Sequence, residues 1–465
     1  MVCAAAPSSA WAWQGAIEVL FWSGRWTTPR PQPEPAMLDA QELPVSAASA
    51  SDLAAIDAFT AGLLAMEGGL DGILSAAKTS PGCPLLQIDA AIFFLYAGTQ
   101  EGVETARQWL DRAEPLLTQA HPREQRLYHA STLWADNDIE SAMDALEGIS
   151  ADWPGDLVAV KACEFLYYLG GQHCNAKRYL KHLEHVSGHH PQNPDVLAMH
   201  AFSLELNAHY ERARERAEEA IDHRFACAWA HHALAHTTTV TDDLERGRRE
   251  QERFLPTWNQ PIGSIHGHNA WHLALLRLLH QDVSGALDLF RTHIWGHLPE
   301  SPGEHVDAVS LLWRMEMAGN EVEASLWSAV AEACLPLAGE ALNPFVSAHH
   351  AHAFARAGMD DAVTHLQAAV TDAAQHQPPE RRAVWAHAGV PVVEAAIAWG
   401  KRESENVIRH LEGVVDQIPK VGGSDAQDDV FRITLVHALI AVGRHDAAHQ
   451  LLSQFPGKRA FSNLI

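Results

Sequence analysis

Gly102-Val-Glu-Thr-Ala106 returns as Asp138-Ile-Glu-Ser-Ala142, as His173-Cys-Asn-Ala176 and as His209-Tyr-Glu-Arg-Ala213. Later copies read Asp282-Val-Ser-Gly-Ala286, Glu321-Val-Glu-Ala324, Met359-Asp-Asp-Ala362 and Arg444-His-Asp-Ala-Ala448. Successive Ala fall about 34 to 39 residues apart, with two longer steps. Gly247 fills the first of these, and a poorer copy near Ile408 fills the second. A small residue at a fixed place in a repeated apolar segment marks the point where two helices cross closely. One hairpin cannot bury its own apolar stripe, so neighbours must stack. The period and the Ala- and Leu-rich composition predict an all-α fold: tetratricopeptide-like helix–turn–helix repeats stacked into a right-handed superhelix (α-solenoid). The first helices of the hairpins are expected to line its concave face.

The expected domain organisation has two parts. Residues 1–35 form an arm carrying Trp11, Trp13, Trp22 and Trp26, followed by a Pro-rich linker over 29–35. Residues 36–465 form one solenoid of about nine to ten hairpins. The arm is expected to pack on the body or on a second subunit, which would make a homodimer.

Bulk composition narrows the function. The chain has 465 residues, 47% hydrophobic, so a large core is expected. Its formal net charge of -25 repels phosphate backbones and anionic membranes, so neither nucleic acid nor membrane is expected as a partner. Cys3, Cys83, Cys163, Cys174, Cys227 and Cys334 are scattered without a Cys-x-x-Cys pair, which fits reduced thiols and a cytoplasmic location. No apolar run reaches bilayer length, and no basic–apolar leader opens the chain.

The 30 His are unusual, and their placement is the informative part. His200, His232, His236, His268, His272, Asp307 and His349 recur in a similar register of five consecutive first helices. His232 with His236 and His268 with His272 are i, i+4 pairs, which a helix places on one face. That spacing suits two metal ligands on one helix. Both pairs lie on apolar stripes, so the imidazoles should be at least half buried and need partners. The plainer alternative is interior His bonded to one another, to Asp307, to Glu205 or to carbonyls. Glu is missing after the first His of each pair, where Ala233 and Asn269 stand, so the metalloprotease pattern is absent. Trp229, Trp271, Trp313 and Phe345 share these helices and would supply apolar walls to a small-molecule site.

The stretches Ala228-Trp-Ala-His-His-Ala-Leu-Ala-His236 and His268-Asn-Ala-Trp-His-Leu-Ala-Leu275 resemble the tetratricopeptide repeat protein 38 family. The resemblance continues through Asp307-Ala-Val-Ser-Leu-Leu-Trp-Arg314, Asn343-Pro-Phe-Val-Ser-Ala-His349, Gly389-Val-Pro-Val-Val-Glu-Ala395 and Gly422-Gly-Ser-Asp-Ala-Gln-Asp-Asp-Val-Phe431. The resemblance covers about residues 50 to 455, with the six motifs in the family's order between Ala228 and Phe431. The resemblance implies a soluble helical-repeat protein with no general activity attached. It adds weight to His232, His236, His268, His272, Asp307 and His349, which fall on motif positions. The late motif departs from the family: Asp425 replaces a His and Asp428 replaces an Arg, while Asp429 is kept. Thr239 stands where the earlier motif carries a Glu. The chain reads as a diverged member.

Two functions compete. In the first, a His-lined concave pocket binds a small molecule and acts on it. His232, His236, His268, His272, Asp307 and His349 are then the candidate catalytic groups. Trp229, Trp271, Trp313, Phe345, Asp425 and Asp429 are the candidate substrate contacts. The chemistry is His acid–base or metal-assisted, with a divalent metal on His232, His236, His268 and His272. In the second, the acidic groove is an interaction scaffold for a peptide or a basic protein. Converging His in a closed cavity favour the first, and a groove open along its length favours the second. Asp425 and Asp429 reach the site only if the superhelix curls back on itself.

Overall fold

The apolar spacing of the second helices dictates how the chain stacks. The helix Gln100–Ala113 buries Ala106, Trp109, Leu110 and Ala113 on one face and leaves the rest polar. First helices differ. Every residue of Pro194–Glu205 after the first is buried, and so is nearly all of Ala228–Val240, because other helices cover them on several sides. Many first helices open with Pro at the first turn, as at Pro84, Pro122, Pro194, Pro302 and Pro344, where a missing N–H costs nothing.

In the computed structural model the described residues are 37–258 and 264–454, and they belong to one compact unit, Met37–Ile465. The Trp-rich arm and its linker lie outside them. The described residues fold as tetratricopeptide-like helical hairpins in series, preceded by a short antiparallel pairing of Met37–Leu38 with Pro44–Val45. The series runs from Ala50–Ala65 with Gly72–Thr79 to Asp425–Ala441 with His445–Leu452.

The small-residue marks hold at most positions. Ala106, Ala142, Ala213 and Ala286 have no exposed surface. At Gly247 a Cβ would lie 2.5 Å from Thr238 Oγ1, so the crossing there needs glycine. Ala324 is an exception: it is exposed and starts the helix Ala324–Cys334, whose buried face carries Trp327, Val330 and Ala331 instead.

The end of the chain returns to its middle. Gln172 N donates to Gly423 O (3.3 Å), Gly423 N to Tyr168 O (3.1 Å) and Asn343 Nδ2 to Leu169 O (3.1 Å). Gly171 has φ 92°, and a Cβ there would lie 2.1 Å from Pro419 O, so only glycine permits this approach. Arg314 completes the closure: its guanidinium donates to the carbonyls of Ala426 (2.7 Å) and Gln427 (3.3 Å) at the start of the helix Asp425–Ala441. The returning segment therefore covers part of the face that the inner helices line.

Candidate metal centre and cavity

The helices Ala228–Val240 and Ser264–Leu279 lie side by side, and each presents its His pair to the other. Ring centroids are 4.5 Å apart for His232–His236, 4.7 Å for His268–His272, 5.1 Å for His232–His272 and 4.7 Å for His236–His272. One nitrogen from each of the four rings falls within 4.8 Å of the others. A tetrahedral ion with bonds of about 2.0–2.1 Å holds its nitrogens about 3.3 Å apart, so small side-chain rotations would close the set around an ion.

Unpartnered nitrogens also occur on His182, His200, His266, His349 and His352, so what separates this cluster is that its unpartnered nitrogens converge. Both ring nitrogens of His232, and Nε2 of His236 and His272, are buried without a partner. Burial holds His232 and His272 well below the usual imidazole range, and pulls His236 down to about 3, with the neighbouring rings adding to the effect. These rings are therefore neutral, each with a lone pair to give. His268 Nδ1–H donates to both oxygens of Asp307 (2.9 and 3.0 Å), which fixes its tautomer and leaves Nε2 as the free acceptor. Gln427 Nε2 donates to Asp307 Oδ1 (3.3 Å), tying the returning helix to this dyad. Glu205 Oε2 lies 3.7 Å from His236 Nδ1, too far to bond, and burial pushes that carboxyl well above its usual range.

A second cluster, His305, Cys334 and His350, offers a contrast. There His350 Nε2 meets His305 Nδ1 at 3.1 Å and His305 Nε2–H donates to Pro299 O (2.7 Å). Those rings satisfy one another, whereas the tetrad leaves its lone pairs unmatched.

His232, His268 and Asp307 line a cavity of about 320 Å³, with His236 and His272 behind them. Tyr96, Phe165, Tyr168, Trp229 and Trp258 supply aromatic walls, and Lys161, Glu164 and Glu304 the charges. Lys161 Nζ bonds Glu164 Oε2 (2.7 Å) and sits 3.4 Å above the Trp229 ring. Burial pulls its ammonium below the usual range, against the pull of Glu164.

The other expected site residues are placed elsewhere. Trp271 is fully buried behind the tetrad, stacked on His268 at 5.1 Å. Trp313 stacks on His352 at 3.7 Å. His349 gives its Nδ1 proton to Phe345 O (2.8 Å) and packs between Phe345 and Phe431, outside the tetrad. Phe345 abuts Gly423, where a Cβ would lie 2.7 Å from its ring. Asp425 pairs with His173 (3.2 Å) and Asp429 with Arg432 (3.1 Å). The curl does bring their helix to the site, but its contribution there is Gln427 and Ser424. Trp271, Trp313, Phe345, His349, Asp425 and Asp429 do not line the cavity, because each turns to the packing side of its helix or into an ion pair. Lys161 and Glu164 escaped the sequence reading. Their signal was present: two opposite charges at i, i+3 within the otherwise apolar helix Leu157–Leu169.

Among the described residues no helix is long and apolar enough to cross a membrane. No protein-family model matches the sequence. The chain is similar to a solved structure of the human IFIT1 dimer with m7Gppp-AAAA, at 15% identity and a TM-score of 0.37, over 86% of this chain and 94% of that one. One expectation is corrected on this comparison. Net charge was read as excluding nucleic acid; the similar structure is named with m7Gppp-AAAA, and the exclusion is not kept. Net charge averages over a surface, whereas recognition follows the local field of one groove.

Proposed function

We propose that this protein holds a small molecule in the cavity beside the tetrad and acts on it with a divalent metal carried by His232, His236, His268 and His272. One observation carries the reading: four imidazoles converge within 4.8 Å, and three of them hold unpartnered interior nitrogens. Interior nitrogens without a partner are costly, and a shared cation satisfies them together. All-imidazole ligation suits zinc, copper, nickel or iron. The reactive face would open between His232 and His268, the two rings that reach the cavity. Four nitrogens fill a tetrahedral ion, so a carbonyl-like group would have to enter as a fifth ligand on that face to be polarised, with Asp307 keeping His268 in its ligating tautomer. The convergence of the four rings, under a returning end of the chain, favours this reading over a scaffold with a groove open along its length. We also read the chain as a diverged, cytoplasmic member of the tetratricopeptide repeat protein 38 family, its repeat domain spanning 36–465.

Elemental analysis of protein purified without chelators tests the metal. Close to one equivalent per chain is expected, lost in the His236→Gln/His272→Gln double variant with folding retained. Metal-free wild type that takes up no zinc, copper, nickel or iron on titration would refute it.

A further inference from the structure

The return of the chain builds a second cavity, of about 250 Å³, against the first. Tyr96, Phe165, Tyr168, Ser301 and Gly303 line both, so the two adjoin along these residues. The Tyr96 hydroxyl is buried at that border without a hydrogen-bond partner. The two chambers differ in charge. The first sets Glu164, Glu304 and Asp307 against Lys161 alone. The second sets Arg107 and Arg381 against Asp136. Arg107 already pairs with Asp136 at 2.9 Å. Arg381, half-buried on the helix Pro379–Val384, feels the carboxylates of Glu140 and Asp138 but has no side-chain hydrogen bond or ion pair among the described residues. A guanidinium lining a cavity with no bonded acceptor can take a carboxylate or phosphate in its fork.

We infer that the ligand is a two-part molecule: a flat or apolar body with a neutral reactive group in the tetrad chamber, and an anionic oxyanion end held by Arg381 in the second. This rests on the reading of the tetrad chamber as the ligand site. The free fork sets the orientation: Lys161 in the first chamber is already bonded to Glu164, whereas Arg381 in the second has no bonded acceptor. Tyr96, Phe165 and Tyr168, which border both chambers, then flank the middle of the molecule, and the Tyr96 hydroxyl finds its partner there.

The probes are ω-phenylalkanoic acids of increasing chain length, each paired with the alcohol of equal length, titrated calorimetrically into metal-loaded protein. From one length onward the acid should bind about tenfold or more tightly than its alcohol. Arg381→Gln should abolish that preference while leaving the alcohol's affinity unchanged, and Arg381→Lys should keep part of it. Equal binding of acid and alcohol at every length, or a preference that survives Arg381→Gln, overturns the inference while the first chamber stands. Binding of neither series overturns the chamber reading with it.

Discussion

Replacing Asp307 by Asn tests the tetrad through a group outside it. The carboxylate accepts the His268 Nδ1 proton with both oxygens, at 2.9 and 3.0 Å. It thereby holds the imidazole with Nε2 bare toward the other three rings. Asn is of equal size and offers one oxygen and one NH2 group. If its oxygen faces His268, the tautomer survives but the negative charge that makes the ring a stronger donor is gone. If its NH2 faces His268, the proton moves to Nε2 and the ring ceases to be a ligand. Loss of such an orienting carboxylate costs about tenfold to a hundredfold in metal affinity, or about 1.4–2.8 kcal/mol. The assay is competition of Asp307→Asn and wild type against a chromophoric chelator, with circular dichroism confirming the fold. An unchanged metal affinity in folded Asp307→Asn would refute the role of the dyad.

Three further outcomes follow from the packing. Lys161→Met leaves Glu164 as a buried charge without a partner and should cost about 3–5 kcal/mol in urea unfolding, while Lys161→Met/Glu164→Leu should recover most of it. Gly247→Ala forces a methyl to within 2.5 Å of Thr238 Oγ1 and 2.9 Å of its Cβ. It should destabilise by about 1–3 kcal/mol, and Thr238→Ala in the same chain should restore part of the loss. Burial pulls both His182 and His200 down to about 4. A depressed folded value means the unfolded chain binds the extra protons. Stability is thus fully present above about pH 6.5 and falls toward pH 4 by about 1.4 kcal/mol per pH unit for each His. Denaturation midpoints measured from pH 7 to 4.5 should show this slope, reduced in His182→Asn. A flat profile would contradict it.

Much of the fold was legible because its signal is local. The crossing residue of each hairpin repeats in sequence, and Gly247 could be placed before its neighbour Thr238 was seen. Ala324 misled because a helix start also favours Ala, and spacing alone does not separate the two uses. The tetrad was legible for the same local reason: i, i+4 pairs on two adjacent inner helices must meet if the helices do. What stayed hidden depends on distant segments. The approach of Gly171 to Pro419 and the clamp of Arg314 on Ala426 join residues far apart in the chain, and they bring its end over the inner helices. Trp271, Trp313 and Phe345 lie on the expected helices, but a stripe of aromatic residues does not reveal which of them faces a cavity and which a neighbouring helix. Lys161 and Glu164 form a charged pair in an apolar run, but their place beside Trp229 comes only from the packing of a distant helix.

Anomalous diffraction from crystals grown with zinc tests the central claim most directly. A peak at the zinc edge is predicted, bounded by His232, His236, His268 and His272 and about 2.0–2.1 Å from one nitrogen of each ring. Density at that position belonging to water alone, with zinc absent from the tetrad, would contradict it.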